Sequence, residues 1–282
     1  MRIENLSSEI WRFGRLVARR FRRGLCGLIL ARMVRKTPMQ SMALAAAFLV
    51  FIGLPADVRA QVTDLLLILA ADVSRSIDEA EFTLQRKGYS TALTDPRVLA
   101  AIRGGRTGSI AICFIEWSGA GEQNVVADWT VVHDEEDAGG LAATILAAPR
   151  SYIGRTSISG AIDFAMERFA AAEPQASRHV IDISGDGTNN SGRPVTDARD
   201  EAVGQGVTIN GLAIINDRPN PGYAFHTQPP GGLPEWYRQN VIGGPGAFLR
   251  VVEDFHSFAD AITNKLVSEI AGASPQQNVA AR

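Results

Sequence analysis

LLLILAADVSRS, residues 65–76, decides how the rest of this 282-residue chain is read. Leu65 to Ala71 is an unbroken apolar run of strand length, the composition of a strand covered on both faces. It stops at Asp72, and Ser74 and Ser76 follow at alternate positions. Three oxygen-bearing side chains are thereby predicted on a loop at the carboxyl end of a buried strand. In open α/β sheets that edge is where ligands bind.

Downstream the pattern alternates. A helix is expected from Ile77 to about Thr94, capped by Ser76 or Asp78, with Glu79 and Glu81 at the positive end of its dipole. Asp95-Pro96 starts a short helix that Gly104-Gly105 closes. Ser109–Glu116 and Asn124–Val132 read as two strands joined by a connection of hairpin length, hence antiparallel. The four acids of Asp134–Asp137 open a helix to about Ala148, and they read as dipole compensation rather than a metal site. Gly154–Gly160 (GRTSISG) leads into an amphipathic helix ending near Ala172. Arg178–Ser184 is the fourth strand, followed by Gly185-Asp186-Gly187-Thr188-Asn189-Asn190. A helix over Val195–Gly204, a fifth strand at Val207–Ile215, a short helix near Glu235–Val241, a sixth strand at Phe248–Val252 and a closing helix at Phe255–Ala271 complete the series. Strands alternating with helices predict a doubly wound, mostly parallel six-stranded Rossmann-like α/β sheet with helices on both faces.

Charge divides the chain. Residues 1–60 carry eleven Arg/Lys against three Asp/Glu, whereas residues 61–282 carry seventeen against twenty-seven. An acidic body argues against nucleic acid as the partner. The basic end resembles a targeting leader: Arg35 and Lys36, then an apolar core at Met42–Leu54, then Val58-Arg59-Ala60 as an A-x-A-like cleavage site. Thirteen residues are short for a spanning helix, which needs about 20. The expectation is a signal segment over 1–60 and a periplasmic or secreted product, with an uncleaved membrane anchor as the alternative. Met33 or Met39 is a further possible start. One domain is expected over 61–271, and a polar disordered tail over 272–282. Cys113, inside an apolar run, reads as a buried free thiol.

Three separated loops converge if the sheet is real: Asp72, Ser74 and Ser76 after the first strand, Thr156 before a helix, and Asp186 after the fourth strand. Singly each has a plain alternative, since Ser, Thr and Asp cap helices and G-D-G makes tight turns. Together they offer only oxygen, with two formal charges, which suits a hard divalent cation: Mg²⁺, with Mn²⁺ or Ca²⁺ as alternatives. Hydroxyl ligands leave such an ion under-neutralised, so an open position attracts a partner's carboxylate.

The order DVSRS, GRTS, SGDG resembles the three-part metal-ion-dependent adhesion site (MIDAS) of von Willebrand factor A domains. By that resemblance Ser74, Ser76 and Thr156 would hold the metal directly, and Asp72 and Asp186 directly or through water. The segments EWSG (116–119), TSISGAIDFA (156–165), IDISGDGTNN (181–190) and NVIGGPGAF (240–248) resemble an exported bacterial family of von Willebrand A-like proteins of unknown function. The resemblance implies a binding module that grips an acidic group of a partner protein through the metal, not an enzyme, with membrane contact only through an uncleaved leader.

Two other readings stand beside it. A metal-dependent phosphatase-like hydrolase would need a second carboxylate where Ser74 stands and a downstream lysine, but after the leader only Lys87 and Lys265 remain, neither in a catalytic-looking context. His133, His179, His226 and His256 lie in separate segments, none beside a nucleophile in sequence. A cell-envelope scaffold with an unused site is the third reading. Asn216–Leu233, with His226, is longer than such a domain needs and reads as a tolerated insertion ahead of a binding loop. Trp117 and Trp129 are candidates for the rim of the site, with packing as their plainer role.

Overall fold

The computed structural model describes residues 61–215, 224–253 and 257–272. The leader, most of the first half of the Asn216–Leu233 segment and the tail beyond Gly272 lie outside them.

Six strands form one sheet: β1 (Leu66–Asp72), β2 (Ile110–Trp117), β3 (Gln123–Val132), β4 (His179–Gly185), β5 (Thr208–Ile214) and β6 (Leu249–Val252), in the order β3-β2-β1-β4-β5-β6. All neighbours run parallel except β2 and β3, the expected antiparallel pair. The helices are α1 (Glu79–Leu93), α2 (Pro96–Arg103), α3 (Glu135–Ala147), α4 (Ile158–Ala170), α5 (Val195–Gly204), α6 (Ala224–Thr227), α7 (Leu233–Asn240) and α8 (Phe258–Ala271).

The apolar run of β1 is buried throughout because its alternate side chains feed two cores. Leu65, Leu67, Leu69 and Ala71 pack with α1, α2, α3 and α8, while Ile68 and Ala70 pack with α4, α5 and α7. Local signals set most helix starts. Asp78 caps α1 in a capping box with Glu81, Asp95 caps α2 ahead of Pro96, and Asp134 accepts from the backbone N–H of Glu136 and Asp137. The acid cluster at 134–137 thus serves a helix start. Because Asp78 and not Ser76 caps α1, the helix begins two residues later than expected and Ser76 stays in the loop after β1.

The strand order reverses at β1. The chain leaves β1 for β2 on one side, passes through β3 and α3, and returns by α4 to β4 on the other. The crevice between the carboxyl ends of β1 and β4 is therefore a topological switch point. Both predicted tryptophans pack instead of lining it: Trp117 is fully buried, and Trp129 stacks on Phe169 while its indole N–H donates to Arg168 O. Cys113 is a buried free thiol whose pKa burial pushes up to about 12. No helix among the described residues is long and apolar enough to cross a membrane.

Candidate metal centre

β1 ends at Asp72, whose Oδ1 accepts from the Ser74 N–H at 2.7 Å, turning the chain back at once. That turn places Ser74 Oγ 3.2 Å from Ser76 Oγ, and Ser76 Oγ donates to Asp186 Oδ1 at 2.6 Å. The first loop and the loop after β4 are thereby joined through side chains 110 residues apart in sequence. Asp72, Ser74 and Asp186 are buried, and Ser76 is half-buried.

Thr156 arrives on the segment before α4. Its N–H donates to Asn190 Oδ1, its carbonyl accepts from the N–H groups of Asn190 and Ser191, and the Asn189 side chain accepts from Ser159 N–H. The asparagines of IDISGDGTNN therefore fasten the second loop to the third. Ser157 Oγ accepts from Gly160 N–H and caps α4, leaving the Thr156 hydroxyl for other work.

Asp72 Oδ2 is buried with no hydrogen-bond partner. Burial, and then the neighbouring Asp186 charge, push the Asp72 carboxyl well above its usual range, against the Ser74 hydrogen bonds and the more distant Arg150. Tyr237 on α7 puts a buried, unpartnered hydroxyl at the same place, and burial with the charges of Asp72 and Asp186 raises its pKa. The approach is close enough that Gly185 has no room for a side chain: a Cβ there would lie 2.8 Å from Tyr237 Oη and 2.9 Å from Asp72 Oδ2. Two carboxylates buried close together repel one another, and a cation between them would offset that cost. The five residues fit a hard divalent ion: two carboxylates and three hydroxyls, all oxygen. Among the described residues no group of three or more His, Cys, Asp and Glu side chains gathers to form a metal cluster of that other kind.

Residues 61–274 match the family described as "Protein of unknown function (DUF1194)". This chain is a DUF1194 protein. No curated protein sequence matches it. Among solved structures, the DUF1194 chain is similar to proximal thread matrix protein 1 from the mussel byssus with a zinc-occupied MIDAS motif, at 14% identity and a TM-score of 0.51, over 75% of this chain and 49% of that one. It is also similar to a von Willebrand factor type A protein from Catenulispora acidiphila, at 14% identity and a TM-score of 0.52, over 74% and 43% of the two chains. The pilus adhesin SpaC from Lactobacillus rhamnosus GG, in its open conformation, aligns at 14% identity and a TM-score of 0.52, over 76% and 30%. The DUF1194 chain spans about half the length of the first of these or less of the others, and at such identities the likeness is one of fold. The fold is von Willebrand A-like.

Several contributors were not singled out from the sequence. Arg150 Nη2 donates to the carbonyls of Val73, Ser74 and Ile77, clamping the loop that carries two of the hydroxyls. Glu116, buried at the end of β2, pairs with Arg86 and accepts from Ser151 N–H at 2.9 Å, holding the segment that leads to Thr156. An acid closing an apolar strand was the available signal, since a buried carboxylate demands a partner. His226 corrects a second expectation. It is not on a bystander insertion: its Nε2 lies 2.9 Å from Thr156 Oγ1, its Nδ1 3.0 Å from Thr188 Oγ1, and its carbonyl accepts from Thr188 N–H. Burial, and then Arg155, lower its pKa to about 4, so the ring is neutral at pH 7.

Proposed function

We propose that this DUF1194 protein is an exported binding module that grips an acidic group of a partner protein through a divalent cation held by Asp72, Ser74, Ser76, Thr156 and Asp186. The observation that carries the reading is the buried Asp72 carboxylate, one oxygen unpartnered, set beside Asp186 at the switch point of the sheet. Bound there, a cation such as Mg²⁺ or Mn²⁺ supplies a point of positive charge to which a carboxylate can attach. The chain's own part is to hold the oxygens in place before any partner arrives. The Asp72 turn sets the spacing of the serines, Asn190 fixes Thr156, and Ser76 ties the first loop to Asp186. Two structures of similar fold, a MIDAS-bearing thread matrix protein and a pilus adhesin, support a binding role over a catalytic one. The basic leader with its short apolar core supports export.

Against a hydrolase stands the geometry around His226, the one histidine near the loops among the described residues. His226 meets Thr156 as a base meets a nucleophile, but its other nitrogen faces the Thr188 hydroxyl, where triads place a carboxylate.

The test is calorimetric titration of the full chain with Mg²⁺ and with Mn²⁺, beside Asp72→Ala and Asp186→Ala. Saturable binding to the wild type, absent from both variants, is the expected outcome. Thermal shift with an aspartate-containing peptide then separates binder from scaffold: a shift that needs the cation supports the binder, and none supports the scaffold. Turnover of a phosphoester by the wild type, stopped by Asp72→Ala, would favour the enzyme.

A further inference from the structure

We propose that two exposed arginines, Arg75 and Arg155, rim this cation site and select a partner protein whose gripped carboxylate stands within a cluster of acidic residues. This deepens the binding-module reading and rests on Asp72, Ser74, Ser76, Thr156 and Asp186 as a cation site.

Each arginine is the chain neighbour of a proposed ligand. Arg75 lies between Ser74 and Ser76, and Arg155 directly precedes Thr156. Ser74 and Thr156 are buried whereas both arginines are exposed, so each loop buries a hydroxyl and leaves a positive charge at the surface. The two loops are also joined through their backbones, Arg75 N–H donating to Gly154 O at 3.0 Å. The arginines therefore belong to one surface.

Neither charge is neutralised within the domain. Arg155 Nη2 donates to Asn190 O at 2.8 Å, which holds the guanidinium at the site, and its charge is felt by His226 beside Thr156. A carbonyl partner leaves that charge uncancelled. Arg75 has no side-chain hydrogen bond or ion pair among the described residues. The acids close to these loops are engaged elsewhere. Glu122, which lies against Gly154, accepts from Gly119 N–H at 2.9 Å, Asp78 caps α1, and Glu79 faces Arg150 at 4.0 Å.

Residues 61–282 are acidic as a whole, seventeen Arg/Lys against twenty-seven Asp/Glu, so two unpaired arginines beside the site reverse the local sign. A positive rim draws in an anionic partner and speeds its encounter. One carboxylate suffices for the cation; the rim gains contacts only when further acids flank that carboxylate. The same segment favours a protein as the source of those acids. Ile153, two residues before Arg155, is 62% exposed, more than any other exposed large apolar side chain among the described residues. An apolar contact beside the charges suits a peptide side chain and offers nothing to a sulfated or phosphorylated polymer.

The experiment titrates the full chain, saturated with Mn²⁺, with two capped peptides of equal length. Both carry one Asp and one Leu, and they differ only in having Glu or Gln at the remaining polar positions. The proteins are the wild type, the double variant Arg75→Gln with Arg155→Gln, Ile153→Ser and Asp72→Ala, each shown to be folded by its melting temperature, and dextran sulfate is a third titrant. The wild type should bind the Glu peptide about tenfold more tightly than the Gln peptide, an advantage that shrinks as salt is raised. The double variant should lose most of that advantage, and Ile153→Ser should weaken both peptides by about threefold. The inference is overturned if the Glu-to-Gln ratio is the same in the wild type and the double variant while Asp72→Ala abolishes binding; the cation site then stands without its rim. A wild type that binds Mn²⁺ but neither peptide overturns it as well. Glu-peptide binding that survives removal of Mn²⁺ by a chelator, yet is lost in the double variant, keeps the rim and sinks the cation reading. If dextran sulfate binds more tightly than the Glu peptide and Ile153→Ser alters neither, the surface is one for polyanions and the protein partner falls.

Discussion

Asp72 is a residue whose best state depends on what lies beside it. Without a cation its carboxyl is buried, half-satisfied and next to Asp186, so the neutral form is favoured. Asp72→Asn keeps an oxygen to accept from Ser74 and removes the charge. The cation-free variant should melt about 2–4 °C above the cation-free wild type, the shift that about 1 kcal/mol produces in a domain of this size. Added Mn²⁺ should then raise the melting temperature of the wild type and leave the variant unmoved. A variant less stable than the wild type in both conditions would show Asp72 to be a structural group. Gly185 is the companion case: Gly185→Ala pushes a methyl against Tyr237 and Asp72 Oδ2 and should cost about 1–3 kcal/mol in chemical denaturation. The five residues of the proposed site could be picked out in sequence because they sit near places where an apolar run stops or a helix starts. Tyr237 was not, since an aromatic in a short amphipathic helix reads as core, which it also is.

Among the elements, the loop at 73–77 shows how a site can depend on a residue that touches none of its oxygens. Its carbonyls converge on the Arg150 guanidinium, which comes from the segment after α3. Arg150→Ala should destabilise the fold by about 2 kcal/mol, the scale of hydrogen bonds to a charged donor. By loosening Ser74 and Ser76 it should weaken cation binding about tenfold, as removal of outer supporting contacts does. Arg150→Lys should not rescue it, because one ammonium cannot reproduce a planar fork of donors. Calorimetric affinities for the three proteins check both statements. Neither this clamp nor His226 was readable in the sequence, for the same physical reason. Strands and helices announce themselves by period and caps, over a few neighbouring residues. Arg150 reaches loops more than 70 positions away, and His226 reaches Thr156 across 70 and Thr188 across 38. The strand pattern nevertheless carried the architecture, because β1 must be apolar on both faces to lie at the centre of the sheet.

At the scale of the molecule, charge is buried at a second place, on the α8 face of the sheet. Lys265, one of two lysines after the leader and without a visible role in the sequence, is fully buried between Asp182 of β4, at 2.7 Å, and Glu269 one turn on in α8. Asn210 of β5 donates to Glu269 Oε1 at 2.8 Å, Arg178 caps the helix end through the carbonyls of Glu269 and Ile270, and the buried Tyr89 lies within the field of both acids. Burial, and then Asp182, raise the Glu269 carboxyl from 4.5 to about 7; burial raises Asp182 as well, against its Lys265 partner. A folded-state value above the unfolded one means that the native protein holds a proton the unfolded chain releases. The stability this contributes is complete below about pH 4.5 and is lost as pH rises through about 7. Across that window it amounts to on the order of 3 kcal/mol, since each tenfold change in proton affinity is worth about 1.4 kcal/mol. Denaturation of the wild type at pH 5, 6 and 7.5 should therefore show stability falling towards neutrality. Glu269→Gln, which keeps an oxygen for Asn210 and cannot ionise, should flatten that fall and leave only the slope due to Asp182. If the variant loses stability as steeply as the wild type, the proton is not on Glu269 but on another buried group, Asp182 being the nearest candidate.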